Sequence, residues 1–254
     1  MGEVGDVIAL PKHLKAGDPE PVIDENRYTL IAFRFCPFCD RVRLTLSYHK
    51  IDYDLVLVSL SEKPDWLSRL SPSGKVPLLL NKGDRLFESD LVMRFVDELR
   101  GPETSLLKVC GADVFQQAAD LAGKFFKPAH SILFKPKLAD DEEETVSAFR
   151  EACISLCAVL KKDYFAGAQL SLADLVLFPM LDRLEAVLAQ LKGIAPEYVV
   201  ELQSTEADSS DYPELVRYLC RMRSLPFIVA LRQPVRLQAL FATTMRAGQA
   251  NPDI

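Results

Sequence analysis

This sequence lacks three features that would place a protein in a membrane, on nucleic acid or outside the cell. No uncharged apolar run reaches the length of about 18 to 20 residues that a membrane-spanning helix needs. Acidic residues outnumber basic ones by 36 to 30, and the net charge of −6 repels phosphate backbones. The first residues have neither the basic start nor the apolar core of a secretory signal. We therefore expect a cytoplasmic protein that neither binds nucleic acid nor inserts stably into a membrane.

Histidine and cysteine are too few and too scattered to indicate a metal site. The chain has three histidines and six cysteines, and it has no export signal that would favour disulfides. Cys36 and Cys39 could form half of a zinc site, but no second pair of ligands follows at a suitable spacing. We favour thiol chemistry over zinc binding or an inert pair, and we expect no metal. The other cysteines are interpreted as small core residues: Cys110, Cys153, Cys157 and Cys220.

The composition is typical of a folded protein with one large domain or two ordinary ones. Of the 254 residues, 49% are apolar and 26% are charged. Residues 1–26 hold three prolines and no apolar period, so we interpret them as an extension. Residues 27–101 follow the order strand, helix, strand, helix, hairpin, helix, and Gly101-Pro102 marks a boundary. Helical spacing without a strand pair predicts that residues 102–254 are all-helical.

Local patterns predict the individual elements. Aromatic and branched runs predict strands at 28–35 and 53–60, and a turn at 81–84 predicts a hairpin of strands 76–80 and 85–87. Between the first two strands, the alternation in 41–46 suits a strand, whereas Pro37 and Asp40 are typical of the first turn of a helix. Ser171 and Asp174 have capping-box spacing. Helices are predicted at 63–70, from Glu88, and at 114–126, 143–162, 172–190, 214–223 and 227–232.

Cys36 has the position that a reactive cysteine needs, after a strand and at the opening of a helix. Backbone N–H groups and the helix dipole stabilise a thiolate there, and they can lower a thiol pKa from about 8.5 into the range of roughly 3.5 to 7.5. Nearby arginines add positive potential, and Asp40 partly opposes it. Cys39, one turn further along, is placed to attack a mixed disulfide on Cys36.

Four short motifs resemble those of a known family. They are Cys36-Pro37-Phe38-Cys39-Asp40-Arg41-Val42-Arg43, Lys63-Pro64-Asp65-Trp66, Gly74-Lys75-Val76-Pro77 and Glu88-Ser89. Together they resemble the glutathione transferase superfamily, and the second motif and the proline-containing extension are similar to its omega class. The resemblance implies a thioredoxin-like domain with a mixed four-stranded sheet at 27–101, an all-helical domain with a second-substrate pocket at 102–254, and a homodimer. It also implies a helix after Cys39.

The resemblance implies a site for glutathione as the cosubstrate. Cys36 resembles the catalytic cysteine of the omega class, and Lys63 resembles the contact to the glycyl carboxylate. Val76, which precedes the residue that matches the family's cis-proline, would pair through its main chain with the cysteinyl unit. Glu88 would face the γ-glutamyl amine, and Ser89 would hold its carboxylate. The implied glutathione-binding residues are Phe38, Lys63, Lys75, Val76, Pro77, Glu88 and Ser89.

Three further positions leave alternatives open. Arg183 and Tyr218 align loosely with second-substrate positions of the omega class, although core packing or surface exposure suits either residue as well. Cys39 departs from the family pattern, in which a small apolar residue is common at that position. It is a candidate resolving thiol, so monothiol and dithiol mechanisms both stay open.

The activity implied by the resemblance is glutathione-dependent thiol transfer, which releases glutathione from mixed disulfides, together with dehydroascorbate reduction. The expected substrates are small electrophiles, disulfides, glutathionylated proteins and dehydroascorbate. Two alternatives remain. A chloride intracellular channel-like protein shares the fold and a Cys-Pro-Phe-x motif, but the segment after the motif here carries charges that disfavour membrane insertion. A non-catalytic transferase-like binding protein would keep the fold without the chemistry.

Overall fold

The N-terminal part of the protein is built on a mixed four-stranded sheet. A computed structural model describes residues 10–135, 142–191 and 212–254 of the chain. The strands are β1 (Tyr28–Ala32), β2 (Tyr53–Leu57), β3 (Leu78–Asn81) and β4 (Asp84–Leu86), and the helices between and after them are α1 (Pro37–Tyr48), α2 (Leu67–Leu70) and α3 (Ser89–Glu98). The sheet order is β2-β1-β3-β4, with β1 parallel to β2 and antiparallel to β3. The predicted thioredoxin-like fold of this part is confirmed.

The C-terminal part is helical. Its elements are α4 (Leu106–Phe134), α5 (Glu142–Val159), α6 (Leu172–Leu181), α7 (Leu184–Leu191), α8 (Pro213–Arg223), α9 (Pro226–Val229) and α10 (Val235–Arg246). All ten residues of α6 are buried, which makes it the central helix, packed between α4 and the α1 helix of the N-terminal part. Within the described residues no helix combines the length and the apolar character that crossing a membrane requires.

Several predicted element bounds differ from the structure. The predicted helix 172–190 is two helices, because the chain turns at Asp182 and Arg183. The Asp182 carboxylate binds Arg232 of the C-terminal part, and the Arg183 guanidinium binds the Phe35 carbonyl of the N-terminal part. The helix predicted at 114–126 is the middle of the much longer α4, and α10 was not predicted. The first hairpin strand begins at Leu78 rather than at 76, since Pro77 has no N–H to donate to a ladder.

The predicted extension contributes one pairing to the sheet. Leu14 forms an isolated parallel bridge with Val58, just beyond the end of β2. The N–H of Leu14 donates to the carbonyl of Leu57, and the N–H of Ser59 donates to the carbonyl of Leu14, both at 2.8 Å. The described part of the extension therefore pairs with the sheet edge only at the C-terminal end of β2, where it satisfies two backbone groups. Its residues 1–9 lie outside the described ranges.

Asp97 joins the two parts of the chain through hydrogen bonds to the start of α4. Its fully buried carboxylate accepts from the Ser105 hydroxyl at 2.6 Å and from the N–H groups of Leu106 and Leu107 at 2.9 and 3.0 Å. The ring of His49 lies 2.8 Å from the same carboxylate. These contacts supply partners for the first N–H groups of α4, which have none within the helix.

The predicted capping box at the start of α6 is present. The buried Asp174 carboxylate accepts from the N–H and the hydroxyl of Ser171 at 2.9 and 2.8 Å. It also accepts from the N–H of Phe165 at 2.8 Å and lies 3.2 Å from the Tyr218 hydroxyl. One carboxylate thus satisfies donors from the preceding loop, from α6 and from α8.

We expect Asp174→Ala to lower the free energy of unfolding by roughly 3 kcal/mol, because it leaves several buried donors without an acceptor. The measurement is equilibrium urea unfolding. Ser171→Ala is the matched control, and the loss of this cap alone should cost about 1 kcal/mol. If the two variants are equally stable, Asp174 is only a local cap.

Candidate active site

Cys36 lies at the N-terminus of α1, as the sequence predicts. It is the N-cap residue in an extended conformation, and Pro37 at the first helical position fixes the entry into the helix. The sulfur atom of Cys36 accepts a hydrogen bond from the N–H of Cys39 at 3.4 Å. The thiol is partly exposed, whereas the Cys39 side chain is fully buried. The sulfur that solvent and substrates can reach therefore stands at the positive end of the helix dipole.

The two thiols of the Cys-x-x-Cys motif differ in acidity. A hydrogen bond from the Cys39 thiol is the main cause that lowers the pKa of Cys36, and the Cys39 N–H and the Arg183 charge act in the same direction. Burial and the nearby Asp40 carboxylate oppose this shift. Burial raises the pKa of Cys39 well above its usual range, and its donation to Cys36 raises it further. Cys36 is thus the more acidic thiol of the pair, and Cys39 is its hydrogen-bond donor.

A cavity of about 530 Å³ opens beside Cys36, which is a size that suits a small-molecule ligand. The cavity lies between the N-terminal part and the helices α4 and α10. The structure brings six of the predicted site residues to its wall: Cys36, Phe38, Lys63, Lys75, Val76 and Arg183.

One end of the cavity is cationic. The exposed side chains of Lys63 and Lys75 lie there, next to Val76 and its cis bond to Pro77. The amine nitrogen of Lys63 is only 3.1 Å from the position of a Cβ atom at Gly74, so that a side chain at this glycine would displace it. Two ammonium groups on one wall are suited to bind a carboxylate ligand.

Glu88 and Ser89 stand at the N-terminus of α3, outside the residues that line this cavity. Glu88 is exposed and has a φ of 61°, which is uncommon for a residue with a side chain. Ser89 is buried, and its hydroxyl lies 3.3 Å from the Arg41 guanidinium. A helix N-terminus with a hydroxyl group can bind an anion, which is the role that the resemblance implies for Ser89.

Arg183 and Tyr218, the two predicted second-substrate residues, lie in different environments. The Arg183 guanidinium reaches the cavity wall and donates to the carbonyl of Phe35 at 2.8 Å. Tyr218 is only 1% exposed and points to Asp174. Tyr218 therefore does not line this cavity, because the face of α8 that carries it packs against α6, which is the core packing that the sequence left open.

Four aromatic residues that the helices of the C-terminal part contribute to the cavity wall were not predicted. Phe126, His130 and Phe134 come from α4, and Phe241 comes from α10. The first three are spaced four residues apart, which places their side chains on one helix face and is the signal that could have found them. Phe241 belongs to a helix that the sequence analysis missed.

The remaining cysteines do not line the cavity. All six cysteines are free thiols. Burial raises the pKa of the fully buried Cys153 to about 12, and it also raises the pKa of Cys110 and Cys157. Thiols of this kind are poor nucleophiles at neutral pH. Within the described ranges no group of three or more His, Cys, Asp or Glu side chains is arranged to hold a metal ion.

Two family models match the chain. The model of the glutathione S-transferase N-terminal domain matches residues 35–99, and the model of the C-terminal domain matches residues 121–226. The first match contains Cys36 and both cavity lysines, and the second contains His130 and Arg183.

Individual relatives extend the similarity over almost the whole chain. The chain is 30% identical over 251 residues to pyrimidodiazepine synthase of Drosophila melanogaster. The aligned region covers 94% of this chain and 95% of that relative. The chain is 25% identical over 244 residues to glutathione transferase omega-1 of Caenorhabditis elegans, covering 94% of each. Among solved structures, dehydroascorbate reductase of Chlamydomonas reinhardtii superposes with a TM-score of 0.65 at 24% identity, covering 88% of this chain and 99% of that one.

We expect Cys39→Ala to slow alkylation of Cys36 by iodoacetamide at neutral pH by roughly tenfold, because a hydrogen bond to a charged group contributes about 1.5 kcal/mol. The rate is followed on the Cys36 peptide by mass spectrometry over a pH series. Cys39→Ser is the matched control, since its hydroxyl can still donate. Equal rates in the two variants would show that donation from residue 39 does not stabilise the thiolate.

Proposed function

Because this chain belongs to the glutathione S-transferase family, and within it to the omega class, we propose that it is a thiol transferase and dehydroascorbate reductase that uses the Cys36 thiolate. Glutathione is the cosubstrate of the family. The observation that carries the proposal is Cys36 itself, which is partly exposed at a helix N-terminus, has a lowered pKa and faces a cavity with a cationic end.

The reaction on a mixed disulfide has two displacement steps. The Cys36 thiolate attacks the glutathionyl sulfur, the disulfide bond breaks, and the released thiolate takes a proton from water. Cys36 now carries glutathione through a new disulfide bond. The thiolate of a second glutathione attacks the glutathionyl sulfur on Cys36, which releases oxidised glutathione and restores the Cys36 thiolate. Reduction of dehydroascorbate instead consumes two free glutathione molecules, which are joined as oxidised glutathione while two electrons and two protons pass to the substrate.

The cationic end and the start of α3 would hold glutathione in this proposal. Lys63 and Lys75 would bind its glycyl carboxylate, and the main chain of Val76 would pair with its cysteinyl unit. Glu88 and Ser89 would hold the γ-glutamyl end at the N-terminus of α3. The tripeptide would then extend from the start of α3 past Cys36 to the lysines.

The monothiol mechanism is favoured over the dithiol mechanism. A resolving cysteine must lose its proton and reach the mixed disulfide. Cys39 is 0% exposed, and its pKa is raised well above the usual range by burial. A second glutathione, which enters from the cavity, therefore serves as the resolving thiol. We further propose a cytoplasmic homodimer, as the family resemblance implies.

A second candidate reaction uses the same thiolate on a flat heterocycle. The Drosophila relative is named for pyrimidodiazepine synthesis, and a pyrimidine is a flat aromatic ring. The specific observation in its favour is the aromatic wall next to Cys36, formed by side chains such as Phe38, Phe126 and Phe134.

We expect Cys36→Ser to reduce both glutathione-dependent activities by at least about a hundredfold, because a hydroxyl is not ionised at neutral pH. The measurements are reduction of a glutathione mixed disulfide and of dehydroascorbate. Cys39→Ser is the matched control and should keep activity within about threefold, since the substitution retains a hydroxyl donor. Loss of activity in both variants would indicate a dithiol enzyme. A folded but inactive wild type would favour the binding-only or channel-like alternative.

We expect Lys63→Met to raise the Kd for glutathione by roughly tenfold, which corresponds to the loss of one hydrogen bond to a charged group. The measurement is isothermal titration at low salt. Lys124→Met, an exposed lysine on α4 that lies outside this cavity, controls for the loss of one positive charge. If both variants bind glutathione equally well, the carboxylate is held elsewhere.

A further inference from the structure

Five rings form a continuous row along the cavity wall. This aromatic row consists of Phe38, Phe126, His130, Phe134 and Phe241. Successive ring centroids are 5.3, 5.3, 4.8 and 5.9 Å apart, and Phe241 in turn stacks on Phe35 at 4.6 Å. These separations lie within the range of favourable ring contacts, so the row is a rigid apolar surface rather than a set of independent side chains.

The row begins beside the catalytic thiolate. Phe38 belongs to the first turn of α1, two residues after Cys36, and its ring is held by Phe126 on one side and by the Arg41 guanidinium at 5.1 Å on another. A group carried by the thiol that Cys36 displaces from the glutathionyl sulfur would therefore lie along the rings.

His130 is the member of the row that carries ring nitrogens. It is exposed to the cavity between Phe126 and Phe134, and no hydrogen bond joins its nitrogens to another residue in the described part of the chain. Burial and the charge of Arg183 lower the pKa of His130. The neutral imidazole offers a ligand one N–H donor and one nitrogen acceptor.

We propose that His130 determines specificity at this acceptor site, whose aromatic wall suits flat groups, by favouring rings with a nitrogen that can form a hydrogen bond. The inference rests on the proposed thiol transferase activity, since it names the class of group on the thiol that is displaced from the glutathionyl sulfur. Stacking on the aromatic row would favour flat groups in general. A hydrogen bond from the His130 imidazole to a ring nitrogen would favour a heterocycle among them.

The experiment compares three mixed disulfides of glutathione, formed with 2-mercaptoethanol, thiophenol and 4-mercaptopyridine. For each substrate the kcat/KM of a variant is divided by that of the wild type, which cancels the intrinsic reactivity of the leaving thiol. His130→Phe keeps the row but removes the nitrogens. We expect it to lower kcat/KM for the pyridyl substrate by roughly five- to tenfold, the equivalent of one hydrogen bond, and to change the other two by less than about twofold.

Two further variants separate the hydrogen bond from the stacking. His130→Gln keeps a donor and an acceptor without a ring, and it should lose less of the pyridyl activity than His130→Phe does. Phe126→Leu interrupts the row and should lower kcat/KM for both aromatic substrates, but not for the aliphatic one. Thermal unfolding checks that each variant is folded. Equal ratios for all three substrates would overturn the inference, whereas a wild type that is inactive on all three would overturn the proposed function instead.

Discussion

The buried guanidinium of Arg41 is the interaction on which the arrangement of the site depends. It is 4% exposed, and a charge at such a depth is tolerated only when its donors are bound. Its Nε donates to the carbonyl of Val176 in α6 at 2.8 Å, and its Nη1 donates to Asp90 in the first turn of α3 at 2.9 Å. Its carbon centre also lies over the Phe38 ring. One side chain of α1 therefore fixes the central helix of the C-terminal part, the start of α3 and the first ring of the cavity wall relative to Cys36.

Arg183 makes the reciprocal contact from the C-terminal part. It follows the end of α6 and donates to the carbonyl of Phe35, immediately before Cys36, while its charge lowers the pKa of the thiol. The two arginines thus fix the N-terminus of α1 together: Arg41 is a residue of α1 itself, and Arg183 belongs to the C-terminal part. The Cys36 sulfur consequently lies where the two parts of the chain meet. Its pKa depends on the packing between these parts, through Arg183, as well as on the start of α1.

The sequence predicted those parts of the site that come from contiguous motifs. Cys36 was placed by the strand and helix signals around it, and Lys63 and Val76 by motifs that resemble those of the family. The structure brings all three to one cavity. Residues contributed by distant helices were missed or misplaced, because helical spacing shows which residues share a face but not what that face packs against. His130 lies on an exposed face of α4, which forms a cavity wall because α10 packs beside it. Tyr218 lies on a face of α8 that α6 buries.

The different acidities of Cys36 and Cys39 follow from burial and from the hydrogen bond between them. The sequence left a resolving role for Cys39 open, but one turn of helix carries this second thiol into the core, where desolvation disfavours its thiolate. The hydrogen bond between them then lowers one pKa by the same contact that raises the other. Cys39 is therefore the weaker acid of the two, which supports the proposal that a second glutathione acts as the resolving thiol. A cavity with a cationic end and an aromatic end can receive that second glutathione after the acceptor group has left.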